Sequence, residues 1–402
     1  MTREWLDDHP QAAQSLLRAA WNGRAPVRCC CRGEGVPMHI ARGYVFVLKR
    51  NPGSGALHAP SCPAYAVDST LDQPAKADWR QPDRDGRVRV PLATPLYRLD
   101  GRGEAPPGTG EMAPVATTKP RVRDERVDLA ALLQYLWHEA GFNLWRPAMA
   151  GWRDWYVVRR YLLEAAAPVL VRAGVALTDV LFVPERFRQA DRVERAARAA
   201  AVLEVRCRHE QGRRRLALVL AEVKRCTPSR FSHLLRLKHA AGLAFWVESR
   251  LWAGALKACR PAAATLAGKS SSRVVVLMSV ERTASGNFNA VDVALMATSL
   301  EWIPILEADE GVLIQRLIEE RRAFVRPLVA SKAEHPPSAV LIDTQIPHPL
   351  FLLPGSEPAT LPADAWVWHP EGVAPGPALP PPRPAVATQH ATAVSPSAPA
   401  AD

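Results

Sequence analysis

The pattern of apolar and polar positions divides the chain into segments of different secondary structure. Apolar residues at positions 13, 16, 17 and 20 recur with helical spacing, which predicts a short amphipathic helix within residues 1–24. Two apolar runs flank Arg42–Gly43, and residues 86–99 alternate in a similar way, so both regions are predicted to form strands. Residues 1–100 are therefore expected to be a small β-rich module with an N-terminal helix.

A second set of elements follows from residue 126. Residues 128–141 have helical periodicity, with Asp128 as a candidate N-cap and Gly141 as the stop. Two apolar runs separated by HEQG predict a β-hairpin over residues 200–224. Further helices are predicted at 152–166, 184–200 and 311–325, and further strands at 271–283, 338–344 and 349–354. This mixture predicts a mixed α/β domain over residues 126–368, and an α+β fold class for the chain as a whole.

Two segments lack any apolar periodicity. Residues 101–125 are dense in Gly, Pro and Thr, which predicts a flexible linker. Residues 369–402 are rich in Pro and Ala and have too few apolar side chains to bury a core, so they are predicted to be a disordered tail. These two segments together contain 13 of the 37 prolines of the chain.

Charge and composition indicate the cellular compartment and the class of binding partner. The net charge of +11 favours polyanions, and DNA is the first candidate among them. The N-terminus has early acids and no continuous apolar stretch, and no apolar run approaches membrane-spanning length, which predicts a cytoplasmic protein without a membrane partner. In that compartment the 7 cysteines stay reduced, so metal binding is favoured over disulfides.

Four residues have the spacing of a structural Zn²⁺ site. Cys29 and Cys31 form a C-x-C pair, and His58 and Cys62 form an H-x3-C pair. Structural zinc takes four such ligands, commonly as two close pairs on tight turns, and the predicted strands between the pairs would bring them together. Cys30 is expected to point away from the metal. The alternatives are buried or idle cysteines, and a redox role, which the absence of C-x-x-C disfavours.

Glu222 and Lys224 end an apolar run in the spacing E-x-K. Together with an upstream acid, this spacing is half of a D…E-x-K nuclease signature, in which two carboxylates hold Mg²⁺ and the lysine acts on the phosphate. Asp179 is the candidate acid, and Glu204 is closer along the chain. A surface ion pair at the end of a strand explains the same residues.

Aromatic and basic residues are interleaved between positions 146 and 160. Such a set can stack on bases and neutralise phosphates, whereas the alternative is a helix-pair core that buries its tryptophans. The candidate nucleic-acid residues are Arg146, Arg153, Arg159, Arg160, Trp152 and Trp155. The arginines of residues 184–200 form either a solvated face or a phosphate-contacting one. No phosphate-binding glycine motif follows a predicted strand, so a nucleotide cofactor is not expected.

Several motifs resemble one uncharacterised bacterial family of domains of unknown function, numbered eleven-seventy-three. They are CCCRGEGVPMHIARG, LKRNPGSGALHAPSC, LLQYLWHEAGFNLWRPAMAG and LAEVKR. The resemblance implies a C-x-C and H-x3-C pattern at Cys29, Cys31, His58 and Cys62, and a gene carried by plasmids or integrative conjugative elements. We therefore expect a zinc-containing, non-catalytic accessory protein of a mobile element that binds DNA or an element-encoded protein partner. The alternatives are a Mg²⁺-dependent nuclease using Asp179, Glu222 and Lys224, and a scaffold that docks through its Pro-rich tail.

Overall fold

The structure is a computed structural model, and it describes most of the chain between residues 10 and 383. The described residues are 10–42, 46–50, 54, 57–59, 62, 64, 79–80, 83, 86–99, 126–210, 213–240, 242–328, 336–353, 361, 365–370 and 376–383. The predicted linker, residues 101–125, and residues 371–375 and 384–402 of the predicted tail lie outside this description.

Helices and strands alternate along the chain, so the predicted mixture of the two is confirmed. The helices are α1 (Pro10–Asn22), α2 (Leu129–Glu139), α3 (Trp155–Ala166), α4 (Leu177–Val180), α5 (Arg192–Arg206), α6 (Ser249–Ala258), α7 (Arg260–Leu266) and α8 (Glu310–Glu319), with short 3-10 turns at Pro147–Met149 and Arg172–Gly174. The predicted limits of α2 are confirmed, because the Asp128 side chain accepts a hydrogen bond from the Ala131 N–H and Gly141 follows with φ +75°.

The largest sheet curls so that five of its strands form a closed circuit of pairings. Its strands are β8 (Leu181–Phe182), β11 (Ala217–Pro228), β12 (Ser232–Leu237), β13 (Phe245–Glu248), β14 (Arg273–Arg282), β15 (Phe288–Thr298) and β16 (Pro304–Ile305). The circuit runs β11–β14–β15–β13–β12 and returns to β11. It can close because the first half of β11 pairs with β14 and the second half pairs with β12.

Both faces of this sheet are buried, which explains its continuous apolar strands. Val219 and Ala221 of β11 face one hydrophobic cluster, and Leu218 and Leu220 face another. Helices α2 and α3 cover the second cluster, whereas α5 to α8 pack against the first. A strand buried on both sides does not alternate between apolar and polar positions. The sheet is therefore the central layer of the fold.

Smaller sheets surround this layer. An N-terminal sheet contains β1 (Val27–Cys29), β2 (Val36–Arg42) and β3 (Phe46–Arg50), in that order. A five-stranded sheet contains β6 (Leu144–Trp145), β17 (Phe324–Val325), β18 (Ala339–Leu341), β19 (His348–Leu352) and β20 (Trp366–Trp368). Two further sheets join β4 (Val88–Arg89) to β7 (Val169–Leu170), and β5 (Tyr97–Leu99) to β9 (His209–Glu210) and β10 (Arg213–Arg215).

One predicted hairpin is wrong in its first half. Residues 200–206 belong to helix α5, and the strands begin only at His209. The run AVLEVR alternates in a way that suits a strand, but the preceding residues 192–200 are rich in Ala and Arg, which are strong helix formers. Leu203 is the only residue of α5 with a fully buried side chain. Packing against the core therefore does not require this segment to alternate between apolar and polar residues.

Contacts in the folded chain cross two of the predicted segment limits, the one at residue 100 and the one at residue 369. Strands β4 and β5, which the sequence pattern assigns to the first module, pair with strands after residue 126. Residues 376–383, which the composition assigns to a disordered tail, are hydrogen bonded to the five-stranded sheet through Arg383 and Ala378. The division of the chain at residue 100 stays a prediction. Among the described residues, no helix is long and apolar enough to cross a membrane.

Candidate functional site

Two tight turns carry the four predicted metal ligands. Cys29 is the last residue of β1, and Cys31 lies in the turn that leads to β2, where Gly35 takes φ +70° and donates its N–H to the Arg32 carbonyl. The second pair lies on a turn closed by a hydrogen bond from the Cys62 N–H to the Ala59 carbonyl at 2.8 Å. Strands β2 and β3 lie between the two turns in sequence, and the two turns meet in space.

The structure brings Cys29, Cys31, His58 and Cys62 into one cluster that could hold a metal ion. Their ligand atoms all lie within 4.8 Å of one another. The Cys29 and Cys62 sulfurs are 3.5 Å apart, and His58 Nδ1 lies 3.4 Å from the Cys31 sulfur and 3.7 Å from the Cys62 sulfur. A disulfide would need sulfurs about 2.05 Å apart, so these thiols are free.

The sulfur atoms receive backbone hydrogen bonds and differ in their acidity. Burial raises the pKa of Cys31, but hydrogen bonds from the Ala59 N–H and the neighbouring thiols outweigh it, and the net pKa is lowered. Burial raises the pKa of Cys62 to about 12. Burial, together with Arg50 and Arg32, lowers the pKa of His58, which keeps the imidazole neutral and able to bind a metal.

The cluster lies at the contact between the N-terminal sheet and the five-stranded sheet. Cys62 packs against Ala323, Val325 and Ile342. The Arg146 guanidinium donates a hydrogen bond of 3.2 Å to the Cys62 carbonyl. The His58 side chain is completely buried, and its Nε2 has no hydrogen-bond partner in the part of the chain that the structure describes. Any metal bound here would therefore join two parts of the fold.

The other cysteines lie outside the cluster. Cys30 is exposed, in agreement with the expectation that it points away. Cys207, Cys226 and Cys259 lie in or against the main hydrophobic core, where burial raises the pKa of each thiol.

A second site surrounds Glu222, at the place where β11 exchanges one neighbouring strand for another. Glu222 pairs with Val275 of β14, whereas Val223 pairs with Leu237 of β12. A cleft of about 310 Å³ opens between these strands and the end of α7. Its charged lining residues are Glu222, Lys224, Arg225, Lys238 and Arg273.

The carboxylate of Glu222 is paired with two cations. Its side chain is only 2% exposed, and its Oε1 lies 2.6 Å from Lys238 Nζ and 3.2 Å from Arg273 Nη1. Lys224 is exposed and lines the same cleft, so Glu222 and Lys224 are brought together. We call the five charged lining residues the Glu222 cleft.

The two candidate acids lie at the opposite end of β11. Asp179 precedes β8, which pairs with β11 only at Leu218 and Val219, and Glu222 is three residues further along, about 10 Å at ~3.3 Å per residue. Glu204 on α5 forms an ion pair of 3.0 Å with Arg282 instead. The structure therefore brings neither acid to Glu222.

The comparisons with known proteins identify a family. The family model described as "Protein of unknown function (DUF1173)" matches residues 2–365. The chain belongs to DUF1173. No curated protein and no solved structure matches it. DUF1173 membership covers both the cysteine cluster and the Glu222 cleft, and it assigns an activity to neither.

The candidate nucleic-acid residues of this DUF1173 chain are mostly committed to internal contacts. Arg153 donates to the backbone carbonyls of Gly141, Leu144 and Glu301, and burial lowers its pKa to about 10. Arg146 and Arg159 also donate to backbone carbonyls, and Arg160 pairs with Glu164. Trp155 is buried and stacks on His239, whereas Trp152 is 77% exposed.

The arginines of residues 184–200 are partly paired. Arg186 pairs with Asp154, and Arg195 and Arg198 share Glu185. Arg188 and Arg192 are exposed on the same region. This surface therefore mixes both signs of charge.

One basic feature of the structure was not predicted from the sequence. Strands β11 and β12 form a hairpin over residues 223–238 that contains five Lys and Arg residues and no Asp or Glu. At its tip Phe231 is 70% exposed, and the Arg230 guanidinium lies 4.8 Å from the centre of its ring. We call residues 223–238 the basic hairpin. Five cations and no acid within these 16 residues are the signal that could have revealed it.

Proposed function

We propose that this protein is a zinc-stabilised, non-catalytic protein that binds single-stranded DNA through the basic hairpin. The observation that carries the proposal is the hairpin itself, whose residues 223–238 include five cations and no acid, with Phe231 exposed at the tip beside Arg230. Proteins that bind single strands combine cations for the phosphates with aromatic rings on which bases stack. The net charge of +11 supports the same class of partner.

The donor set of the cysteine cluster fits Zn²⁺ in a structural role. A tetrahedral zinc with Zn–S of ~2.3 Å and Zn–N of ~2.0 Å places two thiolates ~3.8 Å apart, and a thiolate ~3.5 Å from an imidazole nitrogen. The distances of 3.5, 3.4 and 3.7 Å agree with these values. Four protein ligands leave no open position for a substrate, which favours stability over catalysis.

The charges around Glu222 support a role without catalysis. A metal-dependent nuclease needs carboxylates that face Mg²⁺, but Glu222 faces Lys238 and Arg273. The family resemblance adds the expectation that the gene lies on a plasmid or an integrative conjugative element, where single-stranded DNA is a common intermediate of transfer. We expect a cytoplasmic protein whose partner is that DNA.

Binding to a labelled oligonucleotide tests the proposal. Affinity should fall as salt rises from 50 to 200 mM, with a logarithmic slope of about −0.7 for each phosphate contacted. Phe231→Ala should weaken binding about tenfold, because it removes one stacking surface. Ile346→Ala, which removes a comparably exposed apolar side chain outside the hairpin and outside the candidate nucleic-acid residues, is the matched control.

Each contrary result has a distinct meaning. Equal losses in both variants, or a flat response to salt, would reject the hairpin as the DNA interface. Specific retention of a protein partner without DNA would replace DNA with that partner. Mg²⁺-dependent cleavage that disappears in Glu222→Ala would reject the non-catalytic role.

Metal analysis tests the zinc separately. We expect one zinc per purified chain, lost in Cys31→Ala and in His58→Ala. Protein that folds fully with less than half an equivalent would reject zinc as the stabilising ion.

A further inference from the structure

We propose that the Glu222 cleft binds a phosphate monoester, the dianionic group found at the 5′ end of a DNA strand and on free nucleotides. The inference rests on the proposed DNA binding only in that the cleft lies at the base of the basic hairpin. Three other observations support it: the number of cations in the cleft, the hydrogen-bond donors that these cations have available, and the change of strand pairing that opens the cleft.

The charge of the cleft suits a dianion. Four cations, Lys224, Arg225, Lys238 and Arg273, surround the single carboxylate of Glu222, so the lining carries a net charge of +3. Cys226 also lines the cleft, but burial raises the pKa of its thiol to about 11, so it adds no negative charge. A group with two negative charges is therefore attracted even with Glu222 ionised.

Hydrogen-bond donors remain available on every cation. Lys238 uses one of its three N–H groups on Glu222, and Arg273 uses one on Glu222 and one on the Leu300 carbonyl, out of five. The side chains of Lys224 and Arg225 form no hydrogen bond or ion pair with another described residue. Charge-assisted bonds from such donors to phosphate oxygens are short and strong.

Two of the cations are fixed before any ligand arrives. The Arg273 guanidinium lies 4.6 Å from the centre of the Trp302 ring and is held by Leu300 and Glu222. Glu222 also holds Lys238, and the Lys238 N–H donates to the Glu222 carbonyl at 2.8 Å. A preorganised donor loses little freedom on binding, so the buried carboxylate acts as a positioning residue.

A β-bulge directs the third cation into the cleft. The register shifts between Val223 and Arg225, which leaves Lys224 as the extra residue of β11. Bulges commonly redirect side chains beside binding sites. The bulge lies where β11 leaves β14 and joins β12, so the same break in pairing both opens the cleft and supplies its lysine.

The test uses the full-length protein and two oligonucleotides of one sequence, with a 5′-phosphate or a 5′-hydroxyl. In EDTA, the phosphorylated strand should bind about tenfold more tightly. Lys224→Gln and Arg225→Gln should each remove most of that preference, since both side chains are exposed and their loss leaves the fold intact. Lys257→Gln, an exposed lysine of α6 outside the cleft, is the matched control.

Competition experiments distinguish a strand end from a free nucleotide as the source of the phosphate, and they distinguish the cleft proposal from the hairpin proposal. A nucleoside 5′-monophosphate should compete with the phosphorylated strand, and inorganic phosphate should do so more weakly. One result would support the cleft proposal and reject the hairpin proposal. In it the 5′-hydroxyl strand fails to bind, whereas the monophosphate binds and Lys224→Gln weakens its binding. Equal affinity for the two strands, with no monophosphate binding, overturns the cleft. So does an absolute requirement for Mg²⁺, because the group bound would then be a metal complex.

Discussion

At the scale of single residues, Glu310 and Arg326 form a buried pair of opposite charges. Glu310 and Arg326 are each 4% exposed, and their side chains lie 2.5 Å apart. Glu310 also accepts hydrogen bonds from the backbone N–H groups of Leu306 and Glu307. The pair therefore fixes the start of α8 against the segment that follows β17.

Substituting one member of this pair should be strongly destabilising. Glu310→Gln leaves the Arg326 charge buried without an anion, so we expect the free energy of unfolding to fall by about 3 kcal/mol. Glu319→Gln, an exposed change on the same helix, should alter it by less than about 0.5 kcal/mol. Urea unfolding of the two variants measures both, and equal effects would contradict the role of the pair.

His239 should make the stability of the protein depend on pH. Burial, with help from nearby Lys238 and Arg186 and against Glu222, lowers the pKa of its imidazole to about 4. Between pH 4 and 6.5 the unfolded chain binds a proton that the folded chain excludes, so stability falls as pH falls through this window. After allowance for partial exposure, we expect a loss of about 1–2 kcal/mol between pH 6.5 and 4.5.

The variant His239→Asn isolates this contribution. Asn tolerates the φ of +65° at this position, so the backbone is preserved. Loss of the stacking on Trp155 should lower stability equally at both pH values. The difference in unfolding free energy between wild type and variant should therefore shrink on acidification, and a constant difference would contradict the assignment.

At the scale of elements, those with local signals were predictable from sequence. The cap at Asp128 and the glycine at 141 act within one turn of α2, and both are visible in the sequence. Residues 200–206 carry no such signal, because their apolar spacing suits a strand as well as a helix and only the contacts of Leu203 distinguish the two. Long-range packing determines whether such segments form a helix or a strand.

The cysteine cluster and the Glu222 cleft also differ in how far the sequence predicts them. The cysteine cluster was predictable because its ligands come in two close pairs with characteristic spacing. The Glu222 cleft was found only in part, since E-x-K is local but Lys238 and Arg273 reach Glu222 from two other strands. The contact of Cys62 with Val325 and Ile342 also joins residues far apart in sequence, which no spacing rule records.

Metal removal should loosen the contact between two elements, in addition to the N-terminal turns. Cys62 is both a candidate ligand and part of the packing against β17 and Ile342. Chelation, or Cys62→Ser, should therefore speed amide hydrogen exchange at residues 27–42 and also at 323–325 and 342. Cys30→Ser, an exposed neighbour outside the cluster, should leave exchange unchanged. Faster exchange confined to the N-terminal turns would contradict a bridging role.

At the scale of the whole molecule, separate parts of the chain complete one another's sheets. Strands β4 and β5 pair with strands that begin 81 and 116 residues later, and β6 pairs with β17, which begins 180 residues later. The main hydrophobic core likewise includes Trp145, Val276 and Trp366. Limits drawn from composition alone therefore divide the chain at places where the folded contacts continue.

The segment 376–383 is the last of these additions, and it closes the outer side of the five-stranded sheet. The Trp366 indole donates to the Ala378 carbonyl at 2.9 Å, and Arg383 donates to the carbonyls of Asp343, Thr344 and Gln345. A Cβ atom at Gly376 would lie 2.6 Å from the Trp368 ring, so only glycine allows this approach. The prolines of the segment favour an extended backbone, which reduces the entropy lost on docking.

Truncation should show whether this docking stabilises the fold. A chain ending at residue 375 loses every hydrogen bond of the segment and exposes Trp366 and Trp368, whereas a chain ending at 383 keeps them. With net contributions of about 0.5–1.5 kcal/mol per hydrogen bond, partly offset by the entropy of ordering, we expect the shorter chain to lose about 1–2 kcal/mol of unfolding free energy. The longer chain should match the full-length protein in the same urea titration. Equal stability of the two truncated chains would show that residues 376–383 are bound without contributing to the fold.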